Sequence, residues 1–243
     1  MTTSQHVLCV VGSGWDADRL ADVVARVGGP DYAFEPEDGP DPRIPPAFDV
    51  SADRVVPSYT DDDRLAVSRH SDVAYVVAPP HPAERALEVS ARVLQLTAAL
   101  LWEGAAAAKN ESSGIAHGRE RWLQLAARAR DAADPATLAP LLYLAFVRRP
   151  LADSFVFYTC GMHLLGEADI ELTAADDDDG LDWMDALAGY LLVDRGSDGI
   201  TDGDTFGFAV DSPRRVLRHR DCTRYPPDDL FHNPYGYWRL TGA

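Results

Sequence analysis

Lysine is all but missing from this chain of 243 residues: of its 22 basic side chains only Lys109 is a lysine. Positive charge as a whole is outnumbered, 22 basic against 39 acidic side chains, for a formal charge of −17. Such a surface repels a phosphate backbone, so a nucleic-acid role would need a local basic patch working against the field. The one candidate patch is "SPRRVLRHRDCTR", 212 to 224, with Arg214, Arg215, Arg218, Arg220 and Arg224. Its alternation predicts a strand with arginines on the wet face, and no nucleic-acid partner is expected.

Cysteine is scarce too. Cys9, Cys160 and Cys222 are far apart and odd in number, which excludes a disulfide framework and points to a reducing compartment. No apolar run approaches the roughly 18 residues of a membrane span. Met1 to His6 carries no cationic region, and Val7–Val11 is too short for a signal-peptide core. The expectation is a soluble, cytoplasmic protein with no membrane partner. With 46% hydrophobic residues the chain can still bury a real core.

The elements present read as α+β. Val7 to Val11 predicts a strand, Gly12 and Gly14 break it, and Asp16 is placed to cap a helix carrying Leu20, Val23, Val24 and Val27 until Gly28-Gly29. This opening is like that of a dinucleotide-binding unit, but "GSGWDA" lacks the third glycine and no clean βαβ unit follows. Residues 36 to 57, rich in Pro, Gly and Asp, predict an irregular excursion. A strand over 71 to 80 and a buried helix from about Ala83 to Trp102 come next. Residues 104 to 109 predict a small-residue buried strand, and 118 to 132 a helix with Trp122, Leu125, Ala126 and Ala129 on one face.

Three strands, "LLYLAFVRR" at 141 to 149, "DSFVFYTCGM" at 153 to 162 and "ADIELTA" at 168 to 174, predict an antiparallel meander. A helix over about Gly180 to Asp194 should cover it, burying Trp183, Leu187, Tyr190 and Leu191. Strands over "DTFGFAV" and "RRVLRHR" follow, and the aromatic, proline-rich tail from 222 to 243 is expected to pack as an irregular flap. Together they predict a single α+β domain with a mixed, largely antiparallel sheet and helices packed on it.

The segments "FVFYTCGMHLLGEADIEL" (155 to 172), "WMDALAGYLLVDR" (183 to 195) and "DGDTFGF" (202 to 208) resemble the bacterial family called domain of unknown function 4261, over roughly residues 70 to 218. The resemblance implies a Tyr-Thr-x-Gly-Met strand, a glycine turn, a helix and a Gly-Asp-Thr-x-Gly hairpin. It implies a strand, a Ser-Gly turn and a helix around Ser113-Gly114. It supports the fold and brings no activity with it.

Three constellations could carry chemistry. In "KNESSGIAH", Ser113 and His117 lie four apart after a strand, the spacing of a nucleophile and base on one helix. A nucleophile elbow needs glycines two before and two after its serine; here stand Glu111 and Ile115. The structural reading makes Ser112 or Ser113 a helix cap, Gly114 a bend and His117 a rim residue. Glu111, Ser112 and Trp122 are then the candidate binding residues. Cys160-x-x-His163 and His219-x-x-Cys222 have zinc-ligand composition. On a strand, however, offsets of three face opposite ways, so no metal is expected. "DRGSDGITDGD", 194 to 204, lacks the calcium-hand pattern, with Gly196 at position three and Thr205 at position twelve.

The expected function is a non-enzymatic protein–protein interaction domain with no cofactor, of the kind an immunity-type protein that neutralises a basic partner would be. The alternative is a small hydrolase using Ser113 and His117.

Overall fold

A computed structural model describes residues 2–52, 55–174, 176–194, 199–208 and 213–242. The fold is α+β, built on two sheets rather than the one expected.

The first sheet has β1 (Val7–Gly12) at its centre, flanked by β3 (Asp72–Val77) and β4 (Ala105–Asn110), with β2 (Ala33–Glu37) and β5 (Ile115–His117) at the edges. All its pairs are antiparallel. That removes the likeness to a dinucleotide-binding unit, which needs a parallel neighbour for its first strand. Asp16 does cap α1 (Ala17–Val23), accepting from the Arg19 N–H at 3.2 Å.

Both faces of this sheet are covered. Leu8, Val10 and Val76 join one apolar cluster with residues of α1, α4 (Ala86–Trp102) and α5 (Arg119–Arg130). Cys9, Val11 and Val73 face the other way, onto Ile44 and Phe48 of α2 (Ile44–Ala52) and Val67 of α3 (Asp61–Ser68). The 36–57 stretch, expected to be irregular throughout, thus carries the helix α2 in its middle; residues 53 and 54 lie outside the described residues. Pro45 and Pro46 sit in the first turn of α2, where a missing backbone N–H costs nothing.

The second sheet runs β6 (Arg148–Asp153), β7 (Val156–Cys160), β8 (Asp169–Thr173), β11 (Tyr237–Gly242), β10 (Arg215–Arg220), β9 (Thr205–Phe206). The meander is β6–β7–β8, and it starts at 148. Residues 141 to 146 belong instead to α6 (Pro135–Phe146), with Asp134 accepting from the Thr137 N–H at 2.8 Å and Pro135 at the first helical position. A short apolar run reads alike as buried strand or buried helix, and the Asp-Pro start decides for helix. The tail also departs from expectation. Its end, Tyr237–Gly242, is an interior strand, parallel to β8 and antiparallel to β10.

Helix α7 (Asp177–Gly189) packs on β6, β7 and β8, with Trp183, Met184 and Leu187 buried against the apolar cluster that includes Phe157 and Leu172. That cluster is continuous from Leu8 and Val76 of the first sheet, through Leu142 and Phe146 of α6, to Ile170, Leu217 and Leu240 of the second. Among the described residues no helix is long and apolar enough to cross a membrane.

Candidate functional site

The Ser113 stretch is a turn joining β4 to β5, not a strand feeding a helix. Gly118, not a serine, occupies the cap position of α5. Gly114 turns the chain at φ +71°, and its N–H donates to the Asn110 carbonyl at 2.8 Å. The Asn110 side chain holds the turn from inside, with Nδ2 against His6 Nδ1 at 2.8 Å and Oδ1 accepting from the Ser112 N–H at 3.0 Å. Ser112 Oγ accepts from the Val7 N–H at 3.0 Å, so this hydroxyl fastens the turn to the central strand.

Each candidate residue can now be placed. Glu111 pairs with the lone lysine, Lys109, at 2.7 Å. Ser112 and Trp122 are fully buried, and the Trp122 indole donates to the Ala108 carbonyl at 3.0 Å. Neither presents a surface to a partner. Ser113 is fully buried, and its hydroxyl has no protein hydrogen-bond partner. His117 lies inside, not at a rim: Nε2 donates to the Ala145 carbonyl at 3.2 Å and the ring stands edge-on to Trp122 at 4.8 Å. Burial holds its pKa down to about 4. Its Nδ1, like Ser113 Oγ, is buried without a protein partner, so the two are not bonded to each other. Arg121 and Arg149 also bear on His117, and among the described residues no carboxylate is hydrogen-bonded to either ring nitrogen to orient it as a base.

Cys160 and His163 are both buried. Burial pushes the Cys160 thiol up and the His163 imidazole down to about 3. His219 Nε2 donates to the Tyr235 carbonyl at 2.9 Å. Among the described residues no three metal-ligating side chains come together. The 194–204 stretch lies partly outside the described residues. Within it, Asp202 accepts from the His219 N–H at 2.8 Å and from Arg218 at 2.9 Å, closing a hairpin.

An open cavity lies elsewhere, on the second sheet. Alternation sends Ile170, Leu172, Trp238 and Leu240 towards the core and Glu171, Tyr237 and Arg239 to the opposite face. The segment 221–236 folds over part of that face and leaves a groove of about 580 Å³ lined by Asp153, Glu171, Arg220, Arg224, Tyr237 and Arg239, among others. Glu171 is its buried floor. It accepts from Arg224 on Oε2 at 2.8 Å and from Arg239 on Oε1. The Arg224 guanidinium carbon lies over the Tyr158 ring, 3.8 Å from its centre, and the group touches Asp153 at 3.5 Å. Stacking and ion pairing from two sides fix this side chain although it arises from an irregular segment.

The segment is latched in turn. Asn233, fully buried, donates to the Glu167 carbonyl at 3.0 Å and to Asp169 Oδ2 at 2.8 Å. Asp169 Oδ1 accepts from Thr159 Oγ1 at 2.8 Å and from the Met162 N–H at 3.2 Å. Burial raises the Asp169 carboxyl to about 6 despite these donors.

The arginine-rich stretch is not one patch. Arg215 turns towards α7 and lies 4.5 Å over Trp183, Arg218 pairs with Asp202, and Arg224 is held by Glu171. The groove residues Glu171, Tyr237 and Arg239 were missed in the sequence. Their signal is weak but present: Glu171 and Tyr237-x-Arg239 alternate with the apolar residues of two short strands. Comparison with family models, with curated proteins and with solved structures gives no match to this chain.

Proposed function

We propose that the protein is a non-catalytic, cytoplasmic binding protein whose partner is a basic protein, as in immunity-type neutralisation. The carrying observation is where its charge and its reactive side chains lie. Asp61 and Asp62 of α3 and Asp176 to Asp178 at the start of α7 are exposed, on a chain with formal charge −17. Ser113 and His117, by contrast, are enclosed and unconnected. Complementary fields of this kind speed encounter and suppress acidic competitors. The resemblance to domain of unknown function 4261 is consistent with this reading and assigns no chemistry.

The test is isolation of the partner from the native host, followed by reconstitution from purified components. A 1:1 complex with a basic protein is expected, with an association rate that falls steeply between about 0.05 and 0.5 M salt. Neutralising Asp61, Asp62, Asp177 and Asp178 to asparagine should slow association in the same way. A partner of acidic charge, or a rate indifferent to salt, would refute the proposal. The hydrolase alternative needs the β4–β5 turn to open, and labelling of Ser113 by a serine-directed phosphonate would favour it.

A further inference from the structure

We infer that His6 is a proton-sensitive clasp: through Asn110 it holds the β4–β5 turn closed only while its ring is neutral, and a proton on the ring opens that turn.

Donor and acceptor roles around the ring are fixed by its neighbours. Asn110 Oδ1 accepts from the Ser112 N–H at 3.0 Å, and a backbone amide can only donate. The other end of the Asn110 amide, Nδ2, therefore faces His6 Nδ1 at 2.8 Å. His6 Nδ1 is an acceptor and carries no proton. On the far side of the ring, Ser90 Oγ donates to the Leu164 carbonyl at 2.7 Å, which leaves its oxygen to accept from His6 Nε2 at 2.9 Å. The donors thus run one way, from Asn110 to His6 to Ser90 to Leu164, and fix the Nε2–H tautomer. This chain links the end of β4, the residue before β1, helix α4 and the short helical turn Met162–Leu165 that follows β7.

A second proton on the ring makes Nδ1 a donor facing a donor. Rotating the Asn110 amide would offer its oxygen to the ring, but would aim its NH2 at the Ser112 N–H. Either way a buried donor loses its acceptor. His6, Ser90, Asn110 and Ser112 are all fully buried, so solvent does not replace it. The cheapest relief is for Asn110 to leave and the turn that encloses Ser113 to loosen with it.

The surroundings oppose the charge as well. His81 stacks on the ring at 5.8 Å and Phe146 of α6 stands edge-on at 4.7 Å. Burial first, then His81 and His163, hold the His6 pKa well below the ordinary histidine range. Arg85 bears on His81, and His232 on His163, in the same direction. Glu111, in the turn itself, is paired with Lys109. Among the described residues no carboxylate is hydrogen-bonded to either nitrogen of His6. The clasp uses none of the acidic residues at the helix starts, so its failure would leave the basic-partner reading standing.

Amide hydrogen exchange of the intact chain, followed by NMR and corrected for the intrinsic effect of pH, tests it. One proton taken up per opening predicts that the turn opens about fiftyfold more often at pH 4.5 than at pH 6.5, read as lost protection of the Ser112 and Gly114 amides. That slope is shallower than the fall of global stability, to which four histidines contribute. Asn110→Asp supplies a carboxylate that accepts from both the Ser112 N–H and a charged ring. In this variant His6 should titrate at higher pH than in the parent, and the loss of protection should shrink to less than about fivefold. Should Asn110→Asp fail to fold, the ring nitrogen shifts of the parent decide: at neutral pH they should show the proton of His6 on Nε2. A proton on Nδ1, turn protection independent of pH, protection that falls only in step with global unfolding, or an equal fall in a folded Asn110→Asp protein would overturn the inference.

Discussion

The Asn233 amide donates to Asp169 Oδ2 at 2.8 Å across 64 residues of sequence, and this bond ties the irregular 221–236 segment to the middle of the second sheet. The same amide also serves the Glu167 carbonyl. Replacing Asn233 with alanine removes a donor from the buried Asp169 carboxyl and another from the half-buried Glu167 carbonyl, and should cost about 2–3 kcal/mol. The melting temperature reads the cost. Limited proteolysis reads its location, and faster cleavage confined to 221–236 is the expected pattern. Unchanged protection there would mean that Arg224 and the aromatic contacts hold the segment without the latch.

The pH dependence of stability sets Asp169 against four histidines. The Asp169 carboxyl is raised from its ordinary 3.8 to about 6, so the folded chain holds this proton more tightly than the unfolded one. Its contribution favours the fold below about pH 4 and is lost as pH rises through 6. The histidines act in the opposite sense. His6, His81, His117 and His163 are all depressed by burial, His117 to about 4 and His163 to about 3. Each is neutral when folded and charges when unfolded as pH falls through 6.5. The fully enclosed His117 alone accounts for a loss on the order of 3 kcal/mol by pH 4. Four such groups outweigh one aspartate, so stability should fall from pH 6.5 to pH 4, and Asp169→Asn should steepen that fall. Denaturant midpoints at half-unit pH steps provide the measurement; a parent protein more stable at pH 4.5 than at 6.5 refutes the assignment.

Gly161 turns the chain after β7 at φ +119°. A Cβ there would meet the Phe146 carbonyl oxygen at 2.5 Å and Ser113 Cβ at 2.8 Å. Backbone and a buried side chain give little, and left-handed backbone strains alanine as well. Gly161→Ala should therefore cost roughly 3 kcal/mol. A melting temperature within a degree or two of the parent would show that α6 can shift away from this turn.

Much of the first sheet was legible because its elements carry long, clean patterns. The central strand and α4 bury apolar residues at strand and helix spacing, and no other local signal competes. The failures share a cause. In α6 six apolar side chains are buried between other helices, so no polar face marks the helical period, and Asp134-Pro135 was the decisive clue. In the tail, six aromatic or proline residues in 225–235 obscured a six-residue strand whose partners lie far off in sequence. The groove was illegible for the same reason: Glu171, Arg224 and Arg239 meet only after a parallel pairing that no local pattern encodes. The Ser113 turn was located correctly by its composition, but its burial depends on α6 and Gly161, which lie beyond any window around it.

That burial separates two adjacent serines. Ser112 Oγ accepts from the Val7 N–H, so Ser112→Ala leaves a central-strand donor without its partner and should cost about 1–2 kcal/mol. Ser113 Oγ is buried with no protein partner, and burying an unpaired hydroxyl is itself unfavourable. Ser113→Ala removes that hydroxyl and keeps the volume, so stability should hold to within about 1 kcal/mol or rise. A helix cap would give the opposite result, a loss of about 1 kcal/mol at Ser113. His117→Asn should destabilise as a core substitution, because the ring packs on Trp122 and donates to the Ala145 carbonyl. Chemical denaturation of the three variants settles the ranking. A folded parent that a serine-directed phosphonate labels at Ser113, with labelling lost in a stable Ser113→Ala protein, would show that this enclosed hydroxyl reaches solvent and reacts.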